Sequence, residues 1–307
     1  MRDNNRGHWL PFLEWMITTS CDLACPGCDR FIDYNHNWTE SYEDIDKNMS
    51  FWSKHLDPDN FTLIGGEPLS HPYIYKIIKS TRKYFDHACI EIYTNGLLFP
   101  KRPKLIELLL ELGNAKVSLT YHNQDPEVRE KIDRNIKKYI FKHYGFYQTG
   151  KNKWQYKDVT FETTDPTEGG WYDYRQNLNG ILKPWKDNNP AESYSKCMAN
   201  VYPIIYKNRL YKCPPISMVE THLTKSFQLG DEDWAPYLAY KGLGTDFLEE
   251  ELEEFIDNIQ KPHEICGMCP ANPVLKKQPD AIVKHRLEKI SEYQQHFYKA
   301  ELVLMKL

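Results

Sequence analysis

The chain has 307 residues, of which 41% are hydrophobic and 27% charged, with a formal net charge of −4. This composition is ordinary for a globular protein with a large core, and the charge argues against a nucleic-acid or anionic-membrane surface. No apolar run approaches the roughly eighteen residues of a membrane span, and the polar N-terminus lacks the apolar core of a signal peptide. We therefore expect a cytoplasmic protein whose eight cysteines bind metal rather than form disulfides.

The first half of the chain alternates predicted strands and helices. Apolar runs predict strands at residues 12–19, 61–64, 89–94, 116–122 and 157–164. Helices are predicted at 40–56 with Thr39 as cap, at 73–84, at 103–112 and from 126 to about 143. Parallel βα units at this spacing predict an α/β fold, a partial (β/α)₆ TIM-type barrel with its chemistry at the carboxyl ends of the strands.

The loop after the first predicted strand carries Cys21, Cys25 and Cys28. Pro26 and Gly27 keep this loop from becoming a helix. Thiolates so close together can converge on one soft metal centre, and cysteine-rich loops hold iron–sulfur clusters. Four irons with three protein ligands leave one iron open, and an open position is what distinguishes catalytic metal sites. On spacing alone, a zinc knuckle without its fourth ligand and unligated thiols are the alternatives.

A second motif, Gly65-Gly66-Glu67, follows the second predicted strand. The pattern C-x3-C-x2-C followed by Gly-Gly-Glu, each at a strand end, resembles the radical S-adenosylmethionine (SAM) superfamily. The resemblance implies a catalytic [4Fe–4S] cluster on the three loop cysteines and contact of the SAM amino group with the Gly-Gly-Glu motif. One position departs from that superfamily, because the residue before the third cysteine is often aromatic there and is Gly27 here. The adenine contact is therefore left unassigned.

Strand alternation predicts a polar barrel interior. A barrel covered by helices turns its apolar face outward, so the polar faces of the strands should line the inside, with solvent-exposed edge positions as the alternative. His122 is interpreted as a structural histidine without a metal role. By resemblance and by their strand-end positions, Thr94, Asn95 and Ser118 would contact the ribose and carboxylate of SAM. The predicted inner face comprises Glu91, Tyr93, Asn95, Ser118, Thr120, His122, Thr160, Glu162 and Thr164.

From residue 148 to 196 the pattern loosens. Segment 169–175 is rich in aromatic residues and ends at Arg175, with Trp154 and Trp185 on either side. Irregular stretches of this length are often functional loops, and aromatic faces beside a guanidinium suit a sugar ring or a nucleotide. The alternative is that the rings only cover the mouth of the barrel. Tyr93, Glu162 and Arg175 are the candidate substrate contacts.

Four more cysteines, Cys197, Cys213, Cys266 and Cys269, lie in the last third of the chain. The first two flank residues 201–211, which predict a β-hairpin turning at positions 207–208. The other two form a C-x2-C motif. A hairpin with two thiols and a distant C-x2-C can close four ligands around one centre, and the spacing does not separate zinc from iron.

This arrangement resembles the auxiliary-cluster twitch domain, a shortened form of the SPASM domain found in some radical SAM enzymes. The resemblance implies that all four cysteines hold an auxiliary [4Fe–4S] cluster, which leaves Cys89 as a buried free thiol. We expect residues 1–190 to form the radical SAM core and residues 191–307 to form the auxiliary domain. A helix over 246–259 and a long C-terminal helix over 281–307 complete that prediction.

By resemblance, reductive cleavage of SAM yields a 5′-deoxyadenosyl radical that abstracts a substrate hydrogen, and the auxiliary cluster accepts the remaining electron. This predicts a radical SAM oxidoreductase of the dehydrogenase type. Its substrate would be a polar small molecule (a sugar, a cyclitol or a nucleotide-like compound), and its reductant flavodoxin or ferredoxin, with no nucleic-acid or membrane partner.

Two other functions are open. The first is a peptide-modifying radical SAM enzyme of ribosomal peptide maturation. About eleven residues precede the first predicted strand, so we expect no fused leader-peptide-binding domain. The second is a zinc-stabilised binding protein with a degenerate barrel.

Overall fold

A computed structural model describes residues 7–34, 36, 38–122, 125–141, 145–166, 171–178, 181–226 and 228–277, and the backbone of 282–283. Its strands are β1 (His8–Thr18), β2 (Leu23–Ala24), β3 (Leu56–Gly65), β4 (Cys89–Thr94), β5 (Ala115–Thr120), β6 (Tyr147–Gly150), β7 (Lys153–Tyr156), β8 (Val159–Thr164), β9 (Gln176–Leu178), β10 (Ile181–Lys183), β11 (Ile204–Tyr206), β12 (Arg209–Tyr211) and β13 (Ile282–Val283). Its α-helices are α1 (Tyr42–Trp52), α2 (Ile74–Tyr84), α3 (Leu105–Leu112), α4 (Pro126–Ile136), α5 (Pro190–Ser195), α6 (Pro214–Lys225), α7 (Ala235–Leu238) and α8 (Glu249–Ile259). A π-helical turn, Lys137–Phe141, follows α4, and 3₁₀ turns lie at Ile32–Tyr34, Pro68–Ser70, Phe99–Lys101, Glu232–Trp234 and Glu264–Met268.

The described strands form one large sheet in the order β12-β11-β1-β3-β4-β5-β8-β7-β6. The six strands from β11 to β8 run parallel, and the outer strands β12, β7 and β6 are antiparallel to their neighbours. The predicted α/β class with a large parallel sheet is therefore confirmed. The sixth parallel strand comes from the late hairpin and lies beside β1, not after β8.

Two hydrophobic cores follow from the period-two alternation of the strands. On the outer face, residues such as Trp15, Phe61 and Val117 pack against α1 to α4. On the inner face, Met16 and Ile64 belong to a second core formed with α6 and the aromatic segment before β9. The outward apolar face predicted from sequence is thus confirmed, while the inner face carries both this second core and buried polar side chains.

The first helix is shorter than predicted at both ends. Thr39 is not its cap, because its hydroxyl is hydrogen-bonded to that of Thr18 (2.8 Å) and its backbone bridges to the same residue. Ser41 is the cap, and its side chain accepts a hydrogen bond from the backbone N–H of Asp44 at 3.1 Å. The predicted end at Leu56 is also wrong, since β3 begins there.

The hairpin prediction is confirmed. β11 and β12 pair antiparallel, and the two turn residues Lys207 and Asn208 take φ values of 48° and 58°, which is the geometry of a two-residue type I′ turn. The β6–β7 hairpin, which extends the sheet beyond β8, was not predicted. Of the predicted C-terminal helix, residues 282–283 instead form a strand paired with β2, and the remainder of 281–307 lies outside the described residues. Over the described residues, no helix combines the length and apolar character that crossing a bilayer requires.

Candidate active site between two cysteine sets

The three cysteines of the first motif lie on a tight loop directly after β1. The backbone N–H of Cys28 donates to the carbonyl of Cys25 (3.1 Å), and Gly27 between them takes φ +73°, a left-handed conformation that favours glycine. All three cysteines line one cavity. Burial raises the pKa of the Cys25 thiol, and the charges of Cys28 and Cys21 raise it further. A bound metal centre is what would keep such thiols ionised.

The Gly-Gly-Glu motif packs directly against this loop. A side chain at Gly66 would place its Cβ 2.4 Å from the carbonyl oxygen of Ser20 and 2.9 Å from Cβ of Cys21. The backbone N–H of Gly66 donates to the carbonyl of Thr18 at 2.8 Å, and that of Glu67 donates to Ser20 at 2.7 Å. Only glycine allows the end of β3 to lie this close to the cysteine loop.

Glu67 ties together the ends of two strands. Its buried carboxylate accepts hydrogen bonds from the backbone N–H groups of Leu69 (3.0 Å) and Asn95 (2.8 Å) and from the Thr94 hydroxyl (2.8 Å). Burial raises the pKa of Glu67 to about 8 and the Asp22 charge adds to this, while the three donors act in the opposite direction. Because protein donors occupy the carboxylate, the backbone of this motif is the part that remains to meet a ligand.

The strand-end residues predicted from sequence separate into two groups. Thr94 and Asn95 line the cavity beside the Gly-Gly-Glu motif, and the Asn95 side-chain amide donates to Asp22 at 2.6 Å. Ser118 is buried outside the cavity lining, and its hydroxyl donates to Glu91 at 2.6 Å. The structure therefore brings together the predicted cofactor-contact residues at the ends of β3 and β4 but not the one on β5.

The cavity has a volume of about 330 Å³ and two chemically distinct walls. One wall is the cysteine loop with the Gly-Gly-Glu motif. The other wall includes Met198 and Ala199, which follow Cys197, and Pro214, which follows Cys213. The first cysteine set and the sequence neighbours of the second set therefore line the same cavity.

Polar side chains line the inner face of the sheet, as the strand alternation predicted. Tyr93, Thr120 and His122 line the cavity. Deeper in the sheet, Lys116 bridges Glu91 (3.0 Å) and Glu162 (3.2 Å). Such a layer suits a ligand with many hydrogen-bonding groups.

The three candidate substrate contacts lie in different surroundings. Tyr93 lines the cavity, whereas Glu162 and Arg175 are not among the lining residues. Arg175 is instead an anchor for the cysteine loop, because its guanidinium donates to the carbonyl of Cys28 at 2.7 Å and to Asp33 at 3.1 Å. It also stacks on the Phe31 ring, 4.1 Å from the centroid. Residues 169 and 170 of the aromatic segment lie outside the described residues.

A buried ion pair in the cavity wall was missed by the sequence analysis. Nη2 of Arg30 donates to Oε2 of Glu14 at 2.6 Å, and both residues line the cavity. The available signal was a single carboxylate within the apolar run from residue 12 to 17, a residue type almost never buried without a partner.

The second cysteine set also comes together. Burial raises the pKa of Cys269, and the charges of Cys213, Cys197 and Cys266 raise it further. The backbone N–H of Cys269 donates to the carbonyl of Cys266 at 3.1 Å, which closes the C-x2-C turn. In the described part of the chain, no three Cys, His, Asp or Glu side chains converge where a single metal ion would bind.

Several solved structures and curated proteins are similar to this chain. The crystal structure of BtrN in complex with AdoMet and 2-DOIA matches 87% of this chain and 100% of its own, with 15% identity and a TM-score of 0.48. Native anSMEcpe with bound AdoMet and Cp18Cys peptide matches 97% of this chain and 99% of its own, with 14% identity and a TM-score of 0.38. Streptococcus suis SuiB bound to precursor peptide SuiA matches 42% of this chain and 29% of its own, with 18% identity and a TM-score of 0.34.

Two curated relatives are GTP 3′,8-cyclases. The one from Microcystis aeruginosa is 28% identical over 95 residues, and the one from Petrotoga mobilis is 27% identical over 131 residues. These matches cover 31% and 42% of this chain, and they span 24% and 39% of the relatives' own lengths. Residues 15–142 match the family model of the Radical SAM superfamily. This range contains the three loop cysteines and the Gly-Gly-Glu motif, so the part of the chain that carries both motifs is similar to the Radical SAM superfamily.

Proposed function

We propose that the protein is a radical SAM oxidoreductase that oxidises a polar small molecule by two electrons. The observation that carries this proposal is the single cavity with two walls, one made by the first cysteine set and the other by neighbours of the second. A substrate held there is within reach of a radical generated at one centre and of an electron acceptor at the other.

The residues of the first wall fit the cofactor that the superfamily uses. Cys21, Cys25 and Cys28 would hold a [4Fe–4S] cluster with one iron open, which is a set of soft donors suited to iron and sulfide. The backbone of the Gly-Gly-Glu motif, with Thr94 and Asn95, would orient SAM against that iron. When bound, the cluster and SAM supply a 5′-deoxyadenosyl radical that abstracts a substrate hydrogen. The protein's own contribution is to position the ligands and to exclude water from the cavity.

The second cysteine set fits an auxiliary [4Fe–4S] cluster. Its four thiols affect one another's pKa. Four soft thiolate donors around one centre suit iron and sulfide, which supports an iron–sulfur cluster at Cys197, Cys213, Cys266 and Cys269.

The substrate class follows from the lining of the cavity. Tyrosine, threonine and histidine side chains beside a buried ion pair suit a ligand with several hydroxyl groups, such as a sugar, a cyclitol or a nucleotide-like compound. An acidic one-electron carrier of the flavodoxin or ferredoxin type would supply the reducing electron. Peptide modification is the rival function, and it requires a peptide to enter the same cavity.

The test is a product analysis under anaerobic conditions. Protein reconstituted with iron and sulfide is reduced, then incubated with SAM and a panel of pentoses, hexoses, cyclitols, nucleosides and short peptides. We expect 5′-deoxyadenosine together with a carbonyl product from one of the hydroxylated classes, and neither compound from a Cys25→Ala variant. Product from the peptides alone would favour the rival function. Protein that binds zinc but neither iron nor sulfide would refute the radical SAM proposal.

A further inference from the structure

Glu14 is an acidic group in the cavity wall that neither the cluster nor the predicted SAM contacts use. It lies on β1 between Leu13 and Trp15, whose side chains pack into the outer core, so its own side chain faces inward. The residue is only 5% exposed. A buried carboxylate in an apolar strand is strongly destabilising unless it is paired, so its presence calls for a specific partner.

Arg30 is that partner, and it occupies one oxygen of Glu14. The guanidinium donates to Oε2 of Glu14 at 2.6 Å and, through Nη1, to Asp29 at 2.8 Å. Among the described residues no other group is hydrogen-bonded to the Glu14 carboxylate. Oε1 has no hydrogen-bond partner among these residues, but it is not fully enclosed by protein atoms. Because Glu14 lines the cavity, Oε1 opens on it. The carboxylate is therefore fixed in orientation by one oxygen and available through the other.

The position of Glu14 relates it to both cysteine sets. Arg30 holds it from the first cysteine loop, two residues after Cys28. Its backbone N–H donates to the carbonyl of Pro203 at 2.9 Å, in the segment that joins Cys197 to β11. Glu14 thus lies on the strand that links the two walls of the cavity.

We propose that Glu14, held by Arg30, is the base that accepts the hydroxyl proton of the substrate. This inference rests on the proposed function. In the oxidation of an alcohol, the carbon-bound hydrogen leaves as an atom to the 5′-deoxyadenosyl radical, and the hydroxyl proton passes to Glu14. One electron would pass to an auxiliary cluster held by the second cysteine set, and the C–O single bond would become a carbonyl. The substrate has then lost two electrons and two protons in all.

The charges around Glu14 give it a suitable basicity. Burial raises its pKa to about 7, Arg30 lowers it, and Asp29 and Glu91 raise it further. Tyr93 and Tyr202 are the other titratable groups that face it. A base with a pKa near the working pH combines a useful ionised fraction with proton affinity. The carboxylate form is present above about pH 7, so formation of the carbonyl product should fall as the pH drops below that value.

The other acidic groups of the cavity are less suitable. Glu67 already accepts three hydrogen bonds from the protein. Burial raises the pKa of the Tyr93 phenol well above its usual range, so that it stays protonated. Asp29 accepts a hydrogen bond from Arg30 through Oδ1 and follows Cys28 directly.

The test compares Glu14→Gln with Glu40→Gln. Glutamine at position 14 keeps a carbonyl to accept the Arg30 hydrogen bond but cannot take a proton. Glu40 is a matched control, because burial raises its pKa to about 7 as well and it does not line the cavity. The first readout is the infrared titration of the holoenzyme, in which the difference between wild type and Glu14→Gln isolates one carboxyl group. The second is the amount of carbonyl product formed per 5′-deoxyadenosine, with the alcohol that the panel identifies.

We expect the isolated carboxyl group to titrate near pH 7. We also expect Glu14→Gln to retain its iron and its SAM cleavage while product per 5′-deoxyadenosine falls at least tenfold, and Glu40→Gln to leave that ratio unchanged. Titration of Glu14 in the ordinary range near pH 4.5, or an unchanged ratio in Glu14→Gln, would overturn the assignment. Absence of 5′-deoxyadenosine in the wild type would instead count against the proposed function, and the titration does not depend on it.

Discussion

Glu40 provides a test of what burial alone does to a carboxyl group in this fold. Its Oε1 accepts a hydrogen bond from the Asn48 side chain (3.0 Å) and its Oε2 from the Trp15 indole (3.4 Å), and the residue is 8% exposed. Burial raises the pKa of Glu40 from 4.5 to about 7, while both donors act to lower it. The perturbation is Glu40→Gln, which fixes the side chain in a neutral form.

The size of the effect follows from the two pKa values. A folded-state pKa of about 7 against an unfolded value of 4.5 corresponds to roughly 3 kcal/mol. Because the folded value is the higher one, the contribution of Glu40 to stability is complete below pH 4.5 and is lost as the pH rises through 7. Glu40→Gln should therefore gain stability relative to wild type between those two values. For a chain of this length, roughly 3 kcal/mol shifts the thermal midpoint by about 5 °C.

The assay is thermal unfolding of wild type and variant at pH 5 and pH 8, at one heating rate and with the same iron content. We expect the thermal midpoint of the variant, relative to that of the wild type, to rise by about 5 °C between pH 5 and pH 8. A difference between the two proteins that is the same at both pH values would show that Glu40 ionises normally, and the argument from burial would fail. That result would also weaken the same argument for Glu14.

Three further substitutions test the site. Gly66→Ala should cost about 1–3 kcal/mol of stability through overpacking and reduce SAM binding measured by equilibrium dialysis. Gly230 has open space around it, so Gly230→Ala should do neither. Equal effects of the two substitutions would contradict the argument that only glycine fits against the cysteine loop. Arg175→Met removes the anchor of the first cysteine loop, and we expect faster loss of iron to a chelator; an unchanged rate would show that the loop holds itself. Cys213→Ala should reduce the amount of iron bound to the protein by about half, while Cys89→Ala should leave that amount unchanged. A complete loss of iron in Cys213→Ala would argue against two independent centres.

The sequence predicts the five parallel strands that precede the late hairpin, but it places the starts of β1 and β3 four and five residues too late. The bounds of β4 were predicted without error, and those of β5 and β8 within two residues. The first helix was misplaced because Thr39 and Ser41 are both acceptable caps, and only a tertiary contact with Thr18 decides between them. The β6–β7 hairpin was missed because the described residues of β6 are all exposed, so β6 has no apolar periodicity to detect.

Some residues of the candidate site can likewise be predicted from the sequence and others cannot. Cys21 and Glu67 belong to motifs that local spacing reveals, and Tyr93 follows from strand parity. Arg175 was interpreted as a substrate contact, because sequence shows a guanidinium among aromatic residues but not that the carbonyl of Cys28 lies 2.7 Å from it. The pairing of Glu14 with Arg30 joins residues sixteen apart, and no periodicity in the sequence indicates it.

The relation between the two cysteine sets is fixed by β1. Its carboxyl end leads into the first cysteine loop, and its side pairs with β11, which lies between Cys197 and Cys213, at Glu14–Ile204 and Trp15–Ile205. Because side chains alternate along a strand, a shift of one residue in this pairing would turn the buried residues of β11 to the opposite faces. Ile204 and Ile205 are buried in the inner and outer cores respectively, so both cores oppose such a shift. The relative placement of the segments that carry the two cysteine sets is thus set by backbone hydrogen bonds within one sheet.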